Sequence, residues 1–364
     1  MTASISATCL RLALTLSTAL VAAPAFADAP HKVLLLVNGS LGDKSFFDSA
    51  AHGLDLIKEK YGDAVQTRVL EIGDDPTKFE PALLDASEQD WDIIVAGTYS
   101  LAEAVAEVAP QFPDQQYIVY DASVPYADGD FANVFSIEYK QNEGAYLAGM
   151  LGAGLIKAGV TGNATQLGFI GGMDIPVIND FMIGYVAGAQ AVLPEVKVQI
   201  SYVGSFADAA KGKELGLAQF NTGVGVGFSA ASQAGLGQLA AAKEAGKLTI
   251  GVDSDQEAIF AETDPAIAEK VVSSVLKNVD VSLVAAYDQF VAGTLPFGRS
   301  QVMGLKEGAV GLVDGANLAK IAPAEVVEAL KAATDAIAQG AIEVPTALGK
   351  SSDEIAAVRN AVRP

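Results

Sequence analysis

Short apolar runs alternate with amphipathic segments along most of this chain. HKVLLLV precedes SFFDSAAHGLDLIKEKYG, VQTRVLEIG precedes PTKFEPALLDASEQ, WDIIVAGT precedes SLAEAVAEVAPQF, and QYIVYDAS closes the series. The runs are rich in β-branched and aromatic residues, and the segments between them carry apolar residues at a helical period. That alternation predicts an α/β fold with parallel sheets covered by helices on both faces. The same order then recurs: QLGFIGG leads to FMIGYVAGAQAVL, KVQISYVGSF to DAAKGKELGLAQFN, VGVGFSA to GLGQLAAAKEAGK, and LTIGVDSD ends the second series.

The two series agree in detail. In each, the first loop delivers a Phe to the start of a helix with a Gly seven residues on: Phe46 and Gly53, then Phe181 and Gly188. In each, the last strand ends in an aspartate, Asp121 and Asp253. Tandem units of this kind predict two lobes. Ligands of open α/β sheets sit beyond the carboxyl ends of the strands, so two facing lobes would set Asp121 and Asp253 on opposite walls of one cleft. The first crossing between lobes is expected near SIEYKQNEG, residues 136–144. A return is expected within VVSSVLKNVDVSLVAAYDQFVAG. The expected division is residues 32–138 with about 272–298 in lobe 1, and 139–271 with about 299–364 in lobe 2.

The first 27 residues differ in kind. A polar start with Arg11 leads into LALTLSTALVAAPAFA and ends at Ala25-Phe26-Ala27, a small-x-small cleavage pattern, so residues 1–27 are expected to be a secretory signal. The only cysteine, Cys9, precedes the apolar run and is badly placed as a lipid acceptor. A periplasmic location without a lipid anchor is expected. The net charge over all 364 residues is −21, and the leader carries Arg11 and no acid. That charge repels nucleic-acid polymers and anionic lipid.

The stretch VNGSLGDKSFFDSAAHG resembles a phosphate cradle, but Asp43 stands where a P-loop needs Gly before Lys-Ser, and its carboxylate would repel phosphate. GVGFSA matches the loose G-x-G-x-x-A fingerprint, with Phe228 inside the turn where a pyrophosphate needs bare backbone. His31 and His52 are the only histidines and the mature chain has no cysteine, so His- or Cys-rich metal sites are excluded. No catalytic residue, cofactor or metal is assigned. The remaining chemistry is Asp121 and Asp253, the aromatics Phe46 and Phe228, and Lys277. Carboxylates accept from a sugar diol, an ammonium donates to its oxygens, and stacked aromatics contribute roughly 1–3 kcal/mol per base. Each residue alone also has a structural reading: Lys277 a solvated helix charge, Asp121 a turn cap, Phe46 a core staple, Phe228 core packing. Together they suggest a polar ligand with a planar part.

At these residues the sequence resembles the basic membrane protein (BMP) family of ABC-transporter substrate-binding proteins, which includes purine-nucleoside receptors. The resemblance rests on GDKSFFDSAAHG, FPDQQYIVYDA, NEGAYLAGML, GFIGGMDIPVINDF, SYVGSFADAAKGKEL, IGVDSDQ and SSVLKNVDVS, from about residue 33 to about 344. It implies two Rossmann-like lobes of type I periplasmic binding protein architecture, closing about a hinge on a ligand that permease and ATPase subunits import across the inner membrane. It implies a base held between Phe46 and Phe228, with Asp253 and Lys277 on the ribose and Asp121 near the base. Where the family usually has a base-reading acid, Asn38 occupies the matching position. Phe47 replaces the usual Asn, and Ser232 and Gln233 add bulk.

The expected function is therefore capture of a purine nucleoside or related ligand by a monomeric periplasmic receptor that is not an enzyme. Two alternatives stand beside it: a nucleoside hydrolase-type enzyme, for which the first loop supplies only Asp43 as a metal-holding acid, and a receptor for another sugar-bearing or flat-ring metabolite.

Overall fold

The computed structural model describes residues 29–364, so the expected leader, with Cys9, lies outside the described residues. The first lobe begins β1 (His31–Val37), α1 (Phe46–Tyr61), β2 (Val65–Glu71), α2 (Phe79–Ser87), β3 (Ile93–Gly97), α3 (Tyr99–Val108), β4 (Gln116–Tyr120) and β5 (Val134–Tyr139). Alternate residues of β1 feed two cores. Val33, Leu35 and Val37 pack with Ala50, Leu54 and Ile57 of α1, and Leu34 and Leu36 pack with Leu83 of α2 and Val105 of α3. This two-sided burial explains why the central strands read as unbroken apolar runs rather than as alternation.

The chain crosses to the second lobe at Lys140. There α4 (Gln141–Lys157), β6 (Gln166–Gly171), α5 (Pro176–Val192), β7 (Lys197–Tyr202), α6 (Ala209–Asn221), β8 (Val224–Ala230), α7 (Ser232–Ala245), β9 (Leu248–Asp253), α8 (Gln256–Thr263), α9 (Pro265–Ala268) and β10 (Val271–Lys277) repeat the first plan. Then α10 (Val279–Val291) packs on α1, β11 (Arg299–Met303) joins the first sheet, and β12 (Val310–Leu312) rejoins the second. Helices α11 (Ala316–Ile321), α12 (Ala324–Ala338) and α13 (Ser352–Ala361) complete the second lobe.

The sheet orders are β2-β1-β3-β4-β5-β11 and β7-β6-β8-β9-β10-β12. Pairing is parallel throughout except between β10 and β12. Each sheet reverses its winding at its first strand, which opens a crevice beyond the strand ends. The lobe boundaries differ from the expected ones. VVSSVLK is a buried strand in register with β9, and β11 lies in the first sheet, so the returning segment is about 278–303 rather than 272–298. Among the described residues no helix is long and apolar enough to cross a membrane.

Candidate functional site

The facing strand ends enclose a cavity of about 470 Å³. Asn38, Phe46, Asp121, Asp253 and Lys277 all line it; Phe228 does not. Asp121 follows β4 and Asp253 ends β9, and both hold left-handed backbone, with φ of 63° and 64°. Among the described residues only three other non-glycine positions have positive φ: Lys44, Thr98 and Ser232. Thr98 and Ser232 line the same cavity, and Lys44 lies in the loop beside it. Such conformations cost of order 1–3 kcal/mol each and persist where surrounding structure enforces them, commonly at ligand sites.

Lys277 ends β10, only 2% exposed, with its Nζ 2.5 Å from Asp121 Oδ1 on the opposite lobe. Its ammonium also lies 5.7 Å from the centroid of Phe46 and 4.9 Å from that of Phe181, within cation–π range. Asp253 accepts from Ser45 Oγ at 2.5 Å. Burial pushes the Asp253 carboxyl up to about 6, although Lys277 and Ser45 both favour the ionised form and Asp43 and Asp121 oppose it. Burial likewise raises Asp121, against the pull of Lys277. Lys277 thus pairs with Asp121 across the cleft, with Asp253 adjacent.

The aromatic walls differ from the expected pair. Phe46 opens α1 and is braced by Tyr120, centroids 5.4 Å apart. Phe228 is fully buried two residues before the end of β8, against Phe169, Tyr185 and Phe181. It shares a face of β8 with the cavity-lining Ala230 but lies two residues further back, so its ring packs beneath α5 rather than at the cavity mouth. Phe181 from α5 and Phe206 from the loop after β7 line the cavity instead. Phe181 was visible as the repeat counterpart of Phe46. Phe206 lies in SYVGSFADAAKG, and its only signal was its place beyond a strand's carboxyl end.

Asn38 follows β1 and donates through Nδ2 to Thr98 Oγ1 at 2.8 Å, while its Oδ1 is buried without a partner. An unpartnered buried acceptor in a cavity wall is suited to a ligand donor. Asp43, read as excluding phosphate, caps α1: its carboxylate accepts from the N–H of Ser45, Phe47 and Asp48. The glycines of GVGFSA lie inside β8, not in a phosphate-binding turn: a Cβ at Gly225 would meet Thr161, and one at Gly227 would meet Gln238. His31 contacts Tyr287, and His52 contacts Asp280 on the surface of α10; neither lines the cavity. Among the described residues no three His, Cys, Asp or Glu side chains gather as a metal site.

The profile of the Bmp family, described as ABC transporter substrate-binding protein PnrA-like, matches residues 31–347. The CD4+ T-cell-stimulating antigen of Listeria monocytogenes is 32% identical over 326 residues, 84% of this chain and 85% of that protein. The ABC transporter nucleoside-binding protein BmpA of Lactococcus lactis is 34% identical over 272 residues, 72% of this chain and 73% of its own. Among solved structures, an ABC transporter solute-binding protein from Aeropyrum pernix K1 superposes with a TM-score of 0.79 at 27% identity, covering 92% of this chain and all of the other. A solute-binding protein from Agrobacterium vitis, bound to tagatopyranose, shares the fold at 13% identity and a TM-score of 0.57.

Proposed function

We propose that this chain, which belongs to the Bmp family of PnrA-like ABC transporter substrate-binding proteins, captures a purine nucleoside or closely related molecule by closure of its two lobes. The observation that carries this reading is the composition of one enclosed cavity. It joins a carboxylate–ammonium group (Asp121, Lys277, Asp253) to flat aromatic walls (Phe46, Phe181, Phe206) and a free amide acceptor on Asn38. Ribose hydroxyls suit the first, a base the second, and a base N–H the third. The similarity to a nucleoside-binding relative supports the same reading. The protein would leave the cytoplasm by its leader, act in the periplasm as a monomer without a lipid anchor, and deliver the ligand unchanged to permease and ATPase subunits.

Calorimetry and thermal shift against adenosine, inosine, guanosine, free bases and pentoses test this. A purine nucleoside should bind at least tenfold more tightly than its base or its sugar, should raise the melting temperature, and should be recovered intact. Phe206→Ala should weaken binding about tenfold, in line with the loss of one stacked ring. Free ribose or a bare base binding as tightly as the nucleoside would overturn the assignment.

Affinity should also depend on pH with a definite sign. A hydroxyl that donates to Asp253 favours its carboxylate, so binding lowers a pKa that stands near 6 in the empty cavity. Affinity should be greatest above that value and fall roughly tenfold per unit as pH drops below it. Titration calorimetry from about pH 7.5 to about pH 5 reads this, and Asp253→Asn should flatten most of the slope. A wild-type profile that stays flat across that range would remove Asp253 from the ligand's contacts.

A further inference from the structure

Asp43, Lys44 and Ser45 make four hydrogen bonds across the cleft without lining the cavity. Ser232 Oγ, at the start of α7, donates to Asp43 Oδ2 at 2.8 Å. Ser45 Oγ donates to Asp253 Oδ2 at 2.5 Å, Ser254 Oγ donates to the Ser45 carbonyl at 3.4 Å, and Gln256 Nε2, at the start of α8, donates to the Lys44 carbonyl at 3.1 Å. The Lys44 ammonium sits 5.4 Å from the centroid of Phe260 in α8. Every donor or acceptor on the far side belongs to the second lobe. Asp43, Ser45 and Gln256 are buried in this arrangement.

We propose that residues 43–45 form a closure latch, and that Ser45 and Gln256 are positioning residues that set ligand affinity without touching ligand. The inference rests on the cleft being the ligand site, but not on which ligand fills it. Two features make the segment a latch rather than incidental contact. It is a rigid extension of α1, since the Asp43 carboxylate holds the N–H groups of Phe47 and Asp48, so it moves with the first lobe. It also grips the cavity's own carboxylate. The Ser45 hydroxyl holds Asp253 Oδ2, so the side chain that faces the ligand is oriented by a donor from the other lobe. Opening the lobes breaks all four bonds together and releases Asp253 to rotate. Ligand binding and latching therefore favour one another, because both require the closed state.

The test uses Gln256→Glu and Ser45→Ala. The first keeps the Oε1 atom that accepts from Val252 N and puts a carboxylate oxygen, which repels the Lys44 carbonyl, in place of the donor. With no cysteine in the mature chain, Glu103→Cys and Glu244→Cys give one spin label on each lobe. In ligand-free protein, electron–electron distance measurements should show the closed-to-open ratio falling at least about fivefold in each variant. For whichever nucleoside the wild type binds, dissociation should quicken about tenfold, consistent with losing one hydrogen bond to a charged or buried group, with association unchanged. Melting temperature should shift by only a few degrees for Gln256→Glu, because opening the lobes returns its carboxylate to water, and this variant decides the matter if Ser45→Ala melts early. Unchanged lobe distances and an unchanged off-rate in Gln256→Glu would overturn the latch. If no nucleoside binds the wild type, the ligand assignment fails on its own, while the distance measurement still reads the latch.

Discussion

Replacing Lys277 by Met is expected to lower ligand affinity more than a hundredfold while leaving each lobe folded. Lys277 is the only cation among the residues lining the cavity, which also include Asp74, Asp121 and Asp253. Its partner Asp121 lies on the opposite lobe, and both groups are buried. Removing one member of a buried ion pair costs about 3–5 kcal/mol because the other charge is left without compensation. The pair exists only with the lobes together, so that cost falls on the closed state. Open protein returns Asp121 to water and avoids most of it. Calorimetry should therefore show ligand binding nearly lost, with the ligand-free melting temperature shifted by only a few degrees. Acid should partly restore closure in the variant, because protonated Asp121 and Asp253 no longer need a counter-ion. Affinity within threefold of wild type would mean that the pair plays no part in capture.

Much of this arrangement was legible in the chain, for a physical reason. Strands buried on both faces leave continuous apolar runs, and the helices that cover them leave a helical period, so the order of elements and their duplication can be read directly. The aspartates Asp121 and Asp253 were found through the duplication: equivalent positions beyond equivalent strands adopt the same left-handed turn. Lys277 was placed at the cleft but taken, in its structural alternative, for a solvated helix charge; it ends a buried strand instead.

What could not be read depends on where an element stops and on which chain segment comes opposite it. The family resemblance implies Phe228 at the cavity, but its strand runs on past it. Ser229 and Ala230 carry the strand two residues further, so Phe228 keeps the face of the cavity-lining Ala230 but lies roughly 7 Å short of the mouth. Phe206 sits in a loop that has no period at all. β11 carries a weak pattern, RSQVM, and joins the first sheet through backbone pairing with β5, which depends little on side-chain identity. The four bonds made by residues 43–45 across the cleft join positions roughly two hundred apart, and nothing local marks them.

The glycines of the duplicated pattern lead to the second large expectation: Gly188→Ala should destabilise the protein by about 3 kcal/mol, whereas Gly53→Ala should be nearly neutral. Both sit seven residues after a cavity-lining Phe, and both let one helix approach another. The approaches differ in closeness. A Cβ at Gly188 would collide with the Tyr146 carbonyl oxygen of α4 and come within 2.7 Å of its carbonyl carbon. These are backbone atoms that cannot swing aside, and Gly184 meets the Asn142 backbone in the same way. A Cβ at Gly53 would find Asp280 Cα of α10 at 3.0 Å, a contact that a shift of a few tenths of an ångström relieves. Alanine also gains about 1 kcal/mol of helix propensity at either site, enough to offset the second clash but not the first. At about 2–4 °C per kcal/mol for chains of 150–250 residues, Gly188→Ala should melt roughly 6–12 °C below wild type. It should bind ligand more weakly as well, because α5 carries Phe181 and Ile178 into the cavity and α4 begins at the first crossing between lobes. Scanning calorimetry of the two variants side by side decides this, and equal melting temperatures would show that α4 and α5 can separate at little cost.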